Sequence, residues 1–141
     1  MTPEKLAEAQ KECLNAMANA EEEYLDDIAA AKRMRPEQRE YIEKKALAKK
    51  VCAMTVANAK KLFVETVASA KNAAEEDLAL ARKEAEDAIA CGMLPSIAYK
   101  AFDESASRAY KRFGDIQVDA VKLLDKTVED AGNVYYETMK A

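Results

Sequence analysis

Histidine and tryptophan are absent from this chain of 141 residues, and glycine and proline occur only three times each. The missing histidine excludes His-based acid–base catalysis, Ser-His-Asp and Cys-His nucleophiles, and imidazole metal sites. It also excludes the carboxylate-bridged di-metal helical bundle, which needs Glu-x-x-His on two helices. Three glycines cannot build a phosphate-cradling loop. No apolar run approaches the eighteen residues of a membrane-spanning helix. The opening "MTPEKLAEAQ" has neither the basic start nor the apolar core of a secretory leader. Three widely spaced cysteines, Cys13, Cys52 and Cys91, do not read as a disulfide framework and point to a reducing, cytoplasmic setting. The expectation is a non-enzymatic protein with no metal, no cofactor and no small-molecule substrate.

Charge is abundant. Asp, Glu, Lys and Arg make up 34% of the residues, with both signs mixed and a net charge of −4, which does not fit a nucleic-acid binder. Alanine supplies about a fifth of the chain. This composition belongs to long solvated helices.

The stretch from residue 48 to residue 69 reads "AKKVCAMTVAN AKKLFVETVAS" when split at its centre. The halves nearly coincide, eleven residues apart. Starting each unit at the alanine, units begin at Ala9, Ala20 and Ala31, at Ala48, Ala59, Ala70 and Ala81, and at Ala98, Ala109, Ala120 and Ala131, with a break in phase between the three series. Position five of the unit carries Cys13, Tyr24, Cys52, Phe63, Ala74, Ala85, Phe102, Phe113, Leu124 and Tyr135; position nine carries Met17, Ile28, Val56, Val67, Leu78, Ile89, Ala106, Gln117, Val128 and Met139. Eleven residues in three turns is about 3.67 per turn, close to the natural α-helix, so positions one, five and nine form one face of a nearly straight helix.

All three prolines fall where a helix begins. Thr2-Pro3 reads as an N-cap followed by the first helical residue; Pro36 precedes the acidic Glu37; Pro95 follows Gly92, which suits the left-handed residue that closes a helix. The repeat also breaks at Arg35 and Arg39. The prediction is one all-α domain over 1–141. It is an elongated, antiparallel, up-down-up arrangement of three helices at about 3–33, 37–91 and 96–140, with a very long middle helix. Folding at each turn brings Glu21, Glu22, Glu23, Asp26 and Asp27 beside Lys44, Lys45, Lys49 and Lys50, and Glu75 and Glu76 beside Lys111 and Arg112. The broad apolar face of Val51, Cys52, Val56, Leu62, Phe63, Val64 and Val67 marks the part of the middle helix that both neighbours cover.

The first helix is too short to cover the whole of the second. A stripe with Leu78, Ile89 and Phe102 is therefore expected to stay partly open unless another chain covers it. Tyr99 and Tyr110 share position two and flank that stripe. Cys91, beside Gly92, is the cysteine placed for intermolecular contact. These six residues are the candidate contact site, and another copy of the chain is the expected partner. The function expected is that of a helical assembly subunit of a filament, coat or scaffold.

In period and composition, eleven-residue helical repeats over most of a chain also resemble exchangeable apolipoproteins, synucleins, some desiccation-protection proteins and granule-coating phasins. That resemblance implies an alternative function, an amphipathic helix protein that binds a lipid or granule surface. The synuclein-type "KTKEGV" phrase is absent here. A small helical adaptor or inhibitor docking on a larger protein is a further alternative.

Overall fold

A computed structural model describes residues 2–140. They form three helices and no strand: α1 (Pro3–Ala31), α2 (Pro36–Ala90) and α3 (Pro95–Lys140). The all-α, three-helix reading therefore holds. Each proline is itself the first helical residue, so α2 and α3 begin one residue earlier than expected. α1 ends two residues early, at Ala31.

The helix ends follow from local chemistry. Thr2 Oγ1 accepts from the Lys5 amide at 3.2 Å, satisfying one of the orphan N–H groups of the first turn. At the end of α1, Arg39 reaches back and donates to the carbonyls of Ala31 (3.3 Å) and Lys32 (2.7 Å). The guanidinium thus satisfies the orphan acceptors at the helix C-terminus and sits where a cation is favoured. The α2 terminus is closed by Gly92 at φ 101°, with the Gly92 amide bonded to the Ile89 carbonyl and the Met93 amide to the Ala88 carbonyl, both at 3.0 Å. This is the Schellman arrangement, in which a residue without Cβ takes the left-handed conformation at least cost. Gly114 and Gly132 lie within α3 without interrupting it.

The backbone packs as two compact units, Met1–Glu65 with Val121–Ala141, and Thr66–Ala120. In the first unit α1 and α2 run antiparallel. Ala20, Glu23, Tyr24 and Asp27 meet Ala46, Lys49, Lys50 and Ala53 across a shared cleft, and further from the turn Gln10 donates to Glu65 at 3.1 Å. Two ion pairs fix the register, Lys49–Glu23 at 3.2 Å and Lys50–Glu21 at 2.6 Å, and the Lys50 ammonium lies 4.5 Å from the Tyr24 ring centre. The charge blocks thus meet as expected through Lys49 and Lys50. Lys44 and Lys45 make no ion pair among the described residues.

The α3 segment of this unit meets α2 elsewhere. Ala48, Val51, Cys52 and Thr55 line a groove with Thr127, Ala131, Val134 and Tyr135. Ala46 and Ala48 differ by two residues, which is about 200° around a helix. α1 and α3 therefore lie on nearly opposite sides of α2 within this unit. A triangular bundle would enclose a central core of large side chains; this arrangement does not. Among the described residues the buried apolar ones are alanines, Cys13 excepted, and no large side chain is fully enclosed.

In the second unit, Ala70, Ala74, Ala81 and Ala85 of α2 and Ala98, Ala109 and Ala120 of α3 are buried. Arg112 pairs with Asp77 at 3.1 Å. Basic and acidic blocks were expected to meet through Glu75 and Glu76; Asp77 takes that place because it lies on the turn of α2 that faces Arg112 and lines the same cleft.

Candidate functional site

The six residues singled out from the sequence all belong to the second unit. Leu78, Ile89 and Phe102 are half-buried, while Cys91, Tyr99 and Tyr110 are exposed. Phe102 lines a small cleft of about 130 Å³ with Ala81, Ala85, Ala88, Met93 and Ala98. Its walls are backbone-close alanines, so the cleft is the space left where two helices approach through small residues. The remaining five residues do not line this cleft. Tyr99 and Tyr110, eleven residues apart, hold one outward line of α3.

The larger concavity is in the first unit and was not singled out from the sequence. The groove between α2 and α3 has a volume of about 470 Å³. Leu47, Ala48, Val51 and Cys52 form one wall, and Ala131, Val134 and Tyr135 the other, with Thr55, Thr127 and Thr138 beside them. Lys44 and Asp130 are its charged members. Its size is within the 300–1,000 Å³ of ordinary binding sites. The walls are apolar, and the thiol of Cys52 is half-buried and free. The groove has the chemistry of a surface that receives an apolar side chain.

The rims of the groove explain how it arises. Val51 and Val134 both occupy position four of the eleven-residue unit and are 49% and 60% exposed. The same lines continue to Leu62 on α2 and Leu123 on α3, both exposed. On α1, Leu14 and Leu25 are likewise exposed and eleven residues apart. These pairs of exposed large side chains thus share the spacing of the buried alanines. That signal was present in the sequence at position four of the units on α2 and α3 and at position six of those on α1, beside the stripe of positions one, five and nine.

Lys49 has a raised proton affinity. Its hydrogen bond to Glu23, and then the charge of that carboxylate, raise it above the ordinary lysine value, against a small opposing effect of burial. The pair is solvent-exposed and serves register more than chemistry. Among the described residues no group of three His, Cys, Asp or Glu side chains gathers as a metal would need, and no helix is long and apolar enough to cross a membrane. No protein family, curated protein or solved structure matches this chain.

Proposed function

We propose that the chain is a non-enzymatic assembly subunit whose helices associate with those of other copies along apolar ridges. One observation carries this reading: large apolar side chains left exposed by the fold recur every eleven residues, as Val51 and Leu62, Leu123 and Val134, and Leu14 and Leu25. Scattered surface leucines are ordinary, but an exposed stripe with a helical period is the surface a second helix of the same period covers. The chain itself carries helices of that period.

The magnitudes favour weak, concentration-dependent association. A half-exposed Val or Leu that leaves water contributes roughly 1 kcal/mol, about half its full burial value. Holding two chains together costs at least about 4 kcal/mol. One pair of ridge residues is therefore insufficient, and several ridges must engage together, as they do in a lattice or filament.

Sedimentation velocity on the reduced protein over a wide concentration range tests this. Species that grow with concentration support the assembly subunit. A monomer at every concentration refutes it.

A further inference from the structure

We infer that the groove between α2 and α3 of the first unit binds one long-chain fatty acid, its carboxylate on Lys44 and its tail between Val51 and Val134. The site is complete within one copy, so the inference goes beyond the assembly reading and does not rest on it.

Shape decides the class of occupant. The lining residues run from Lys44 to Thr55 on α2 and from Thr127 to Thr138 on α3. Eleven helical steps along each wall make the groove roughly 16 Å long. A volume of about 470 Å³ spread over that length leaves a mean cross-section of roughly 30 Å². A helix with its side chains is about 10 Å across and needs roughly 80 Å², so it can rest on the rims but not enter. A polymethylene chain, with carbons in contact at about 4 Å, needs roughly 20 Å² and fits. At roughly 1.2 Å per bond of an extended chain, about twelve to fourteen carbons fill the length. The walls suit such a tail. Ala48 and Ala131 keep the floor close to the backbone, while Val51 and Val134 stand half-exposed or more on the rims. A tail between them removes apolar surface from water that the fold leaves wet.

Charge sets the head and the direction. The four-residue turn between α2 and α3 makes the two helices antiparallel, so Lys44 stands level with Thr138 at one end of the groove. Lys44 is half-buried, and a lysine so placed lays its stem on apolar surface and keeps its ammonium toward water. None of the ion pairs among the described residues uses it. Asp130, the other charged member, is exposed and lies toward the opposite end, level with Cys52. A fatty acid carries one anionic head on one apolar chain. Its carboxylate is drawn to Lys44 and is repelled from the end that Asp130 holds. A two-chain lipid exceeds the cross-section, and a neutral hydrocarbon makes no use of Lys44.

Calorimetric titration with sodium decanoate and dodecanoate below their micelle concentrations, on the monomeric chain, tests this. One site per chain is expected. In a half-open groove each added methylene from octanoate to dodecanoate should raise affinity about twofold, half the free energy of full burial, and the gain should stop near about fourteen carbons. Lys44→Gln is expected to weaken decanoate by roughly tenfold or more, as loss of a charged hydrogen bond does, and to leave decan-1-ol unchanged. Val51→Glu is expected to abolish binding of both, with helicity by circular dichroism unaltered. The site is located by the cysteines: Cys52 lines the groove and exposed Cys91 belongs to the second unit. Dodecanoate should slow maleimide labelling of Cys52 and leave that of Cys91 as it was. Uptake that begins only at the micelle concentration overturns the inference. So does binding that survives Val51→Glu, or labelling of Cys52 that dodecanoate does not slow. A Lys44→Gln variant that loses decan-1-ol as fully as decanoate removes the carboxylate contact and with it the inference. The assembly reading is decided separately, by sedimentation without ligand.

Discussion

Two substitutions two residues apart, Ala57→Leu and Ala59→Leu, separate the packing of α2 on α1 from the phase that the repeat alone would assign. Ala57 is 4% exposed, and Ala46, one repeat earlier on the same line, is 2% exposed. That line includes Ala53 and Lys50, which meet α1. Ala59 starts a repeat unit but is only half-buried, like Ala48 before it. A leucine at position 57 adds three carbons where two helices approach through a methyl group. Neighbouring helices must separate or leave good rotamers, at a cost of about 1–3 kcal/mol. At position 59 the added side chain has an open side, and a surface-like change of within about 0.5 kcal/mol is expected. For a chain of 141 residues, a specific unfolding entropy near 2.1 cal/mol/K per residue converts 1–3 kcal/mol into a melting decrease of about 3–10 °C. Thermal unfolding followed by circular dichroism at fixed, low concentration reads the difference. If Ala57→Leu costs no more than a surface change, α1 does not pack on the Ala46–Ala57 line, and the opposed placement of α1 and α3 on α2 is refuted.

Two further outcomes follow from local geometry. Gly92 holds φ 101° with open space around it, so Gly92→Ala is expected to destabilise by about 1–2 kcal/mol through backbone strain alone. By contrast, Gly114 and Gly132 lie inside α3 with nothing near a new Cβ, and alanine at either is expected to stabilise by up to about 1 kcal/mol; urea unfolding of the three variants checks both signs. The raised proton affinity of Lys49 gives the other outcome. A lysine that binds its proton more tightly when folded adds stability below the ordinary lysine value, and that contribution is lost as pH rises through its raised value, hence above roughly pH 10.4. The pair is exposed, so the loss is under about 1 kcal/mol; it should vanish in Glu23→Gln, and a pH series of unfolding midpoints for the two proteins that superimposes above and below that range would contradict it.

Much of the fold was legible because its punctuation is sparse. With three prolines and three glycines, Pro3, Pro36, Pro95 and Gly92 had few competing interpretations, and each sits where its own backbone chemistry requires. The pairing of Glu21 and Glu23 with Lys50 and Lys49 was legible because the blocks are equidistant from the turn. Arg39 was not. Its interruption of the apolar stripe marked a helix break, but only the folded turn reveals that its guanidinium caps α1. The second line of buried alanines on α2 was also hidden. An eleven-residue period fixes the spacing of a face and leaves its phase open, and alanine stands at Ala46, Ala48, Ala57 and Ala59 alike. A small apolar residue does not announce which of two faces is buried. Position four of the repeat carried the groove rims, yet it reads as the flank of the predicted stripe until two helices place Val51 and Val134 across one cleft.

The same opposition of faces accounts for the composition. In a triangular bundle each helix offers one apolar side, and three such sides enclose Leu, Ile and Phe at the centre. Here α2 in the first unit meets α1 on one side and α3 on nearly the other, so each contact is a two-helix seam. A two-helix seam is narrow: alanines fill its middle, and longer side chains such as Val51, Leu47 and Val134 are pushed to its edges, where water reaches them. Enlarging the seam residues would separate the helices without enclosing the edge residues. The large apolar side chains at these edges therefore stay open to water within the first unit. That links the alanine core, the scarcity of aromatic residues and the open groove to one cause.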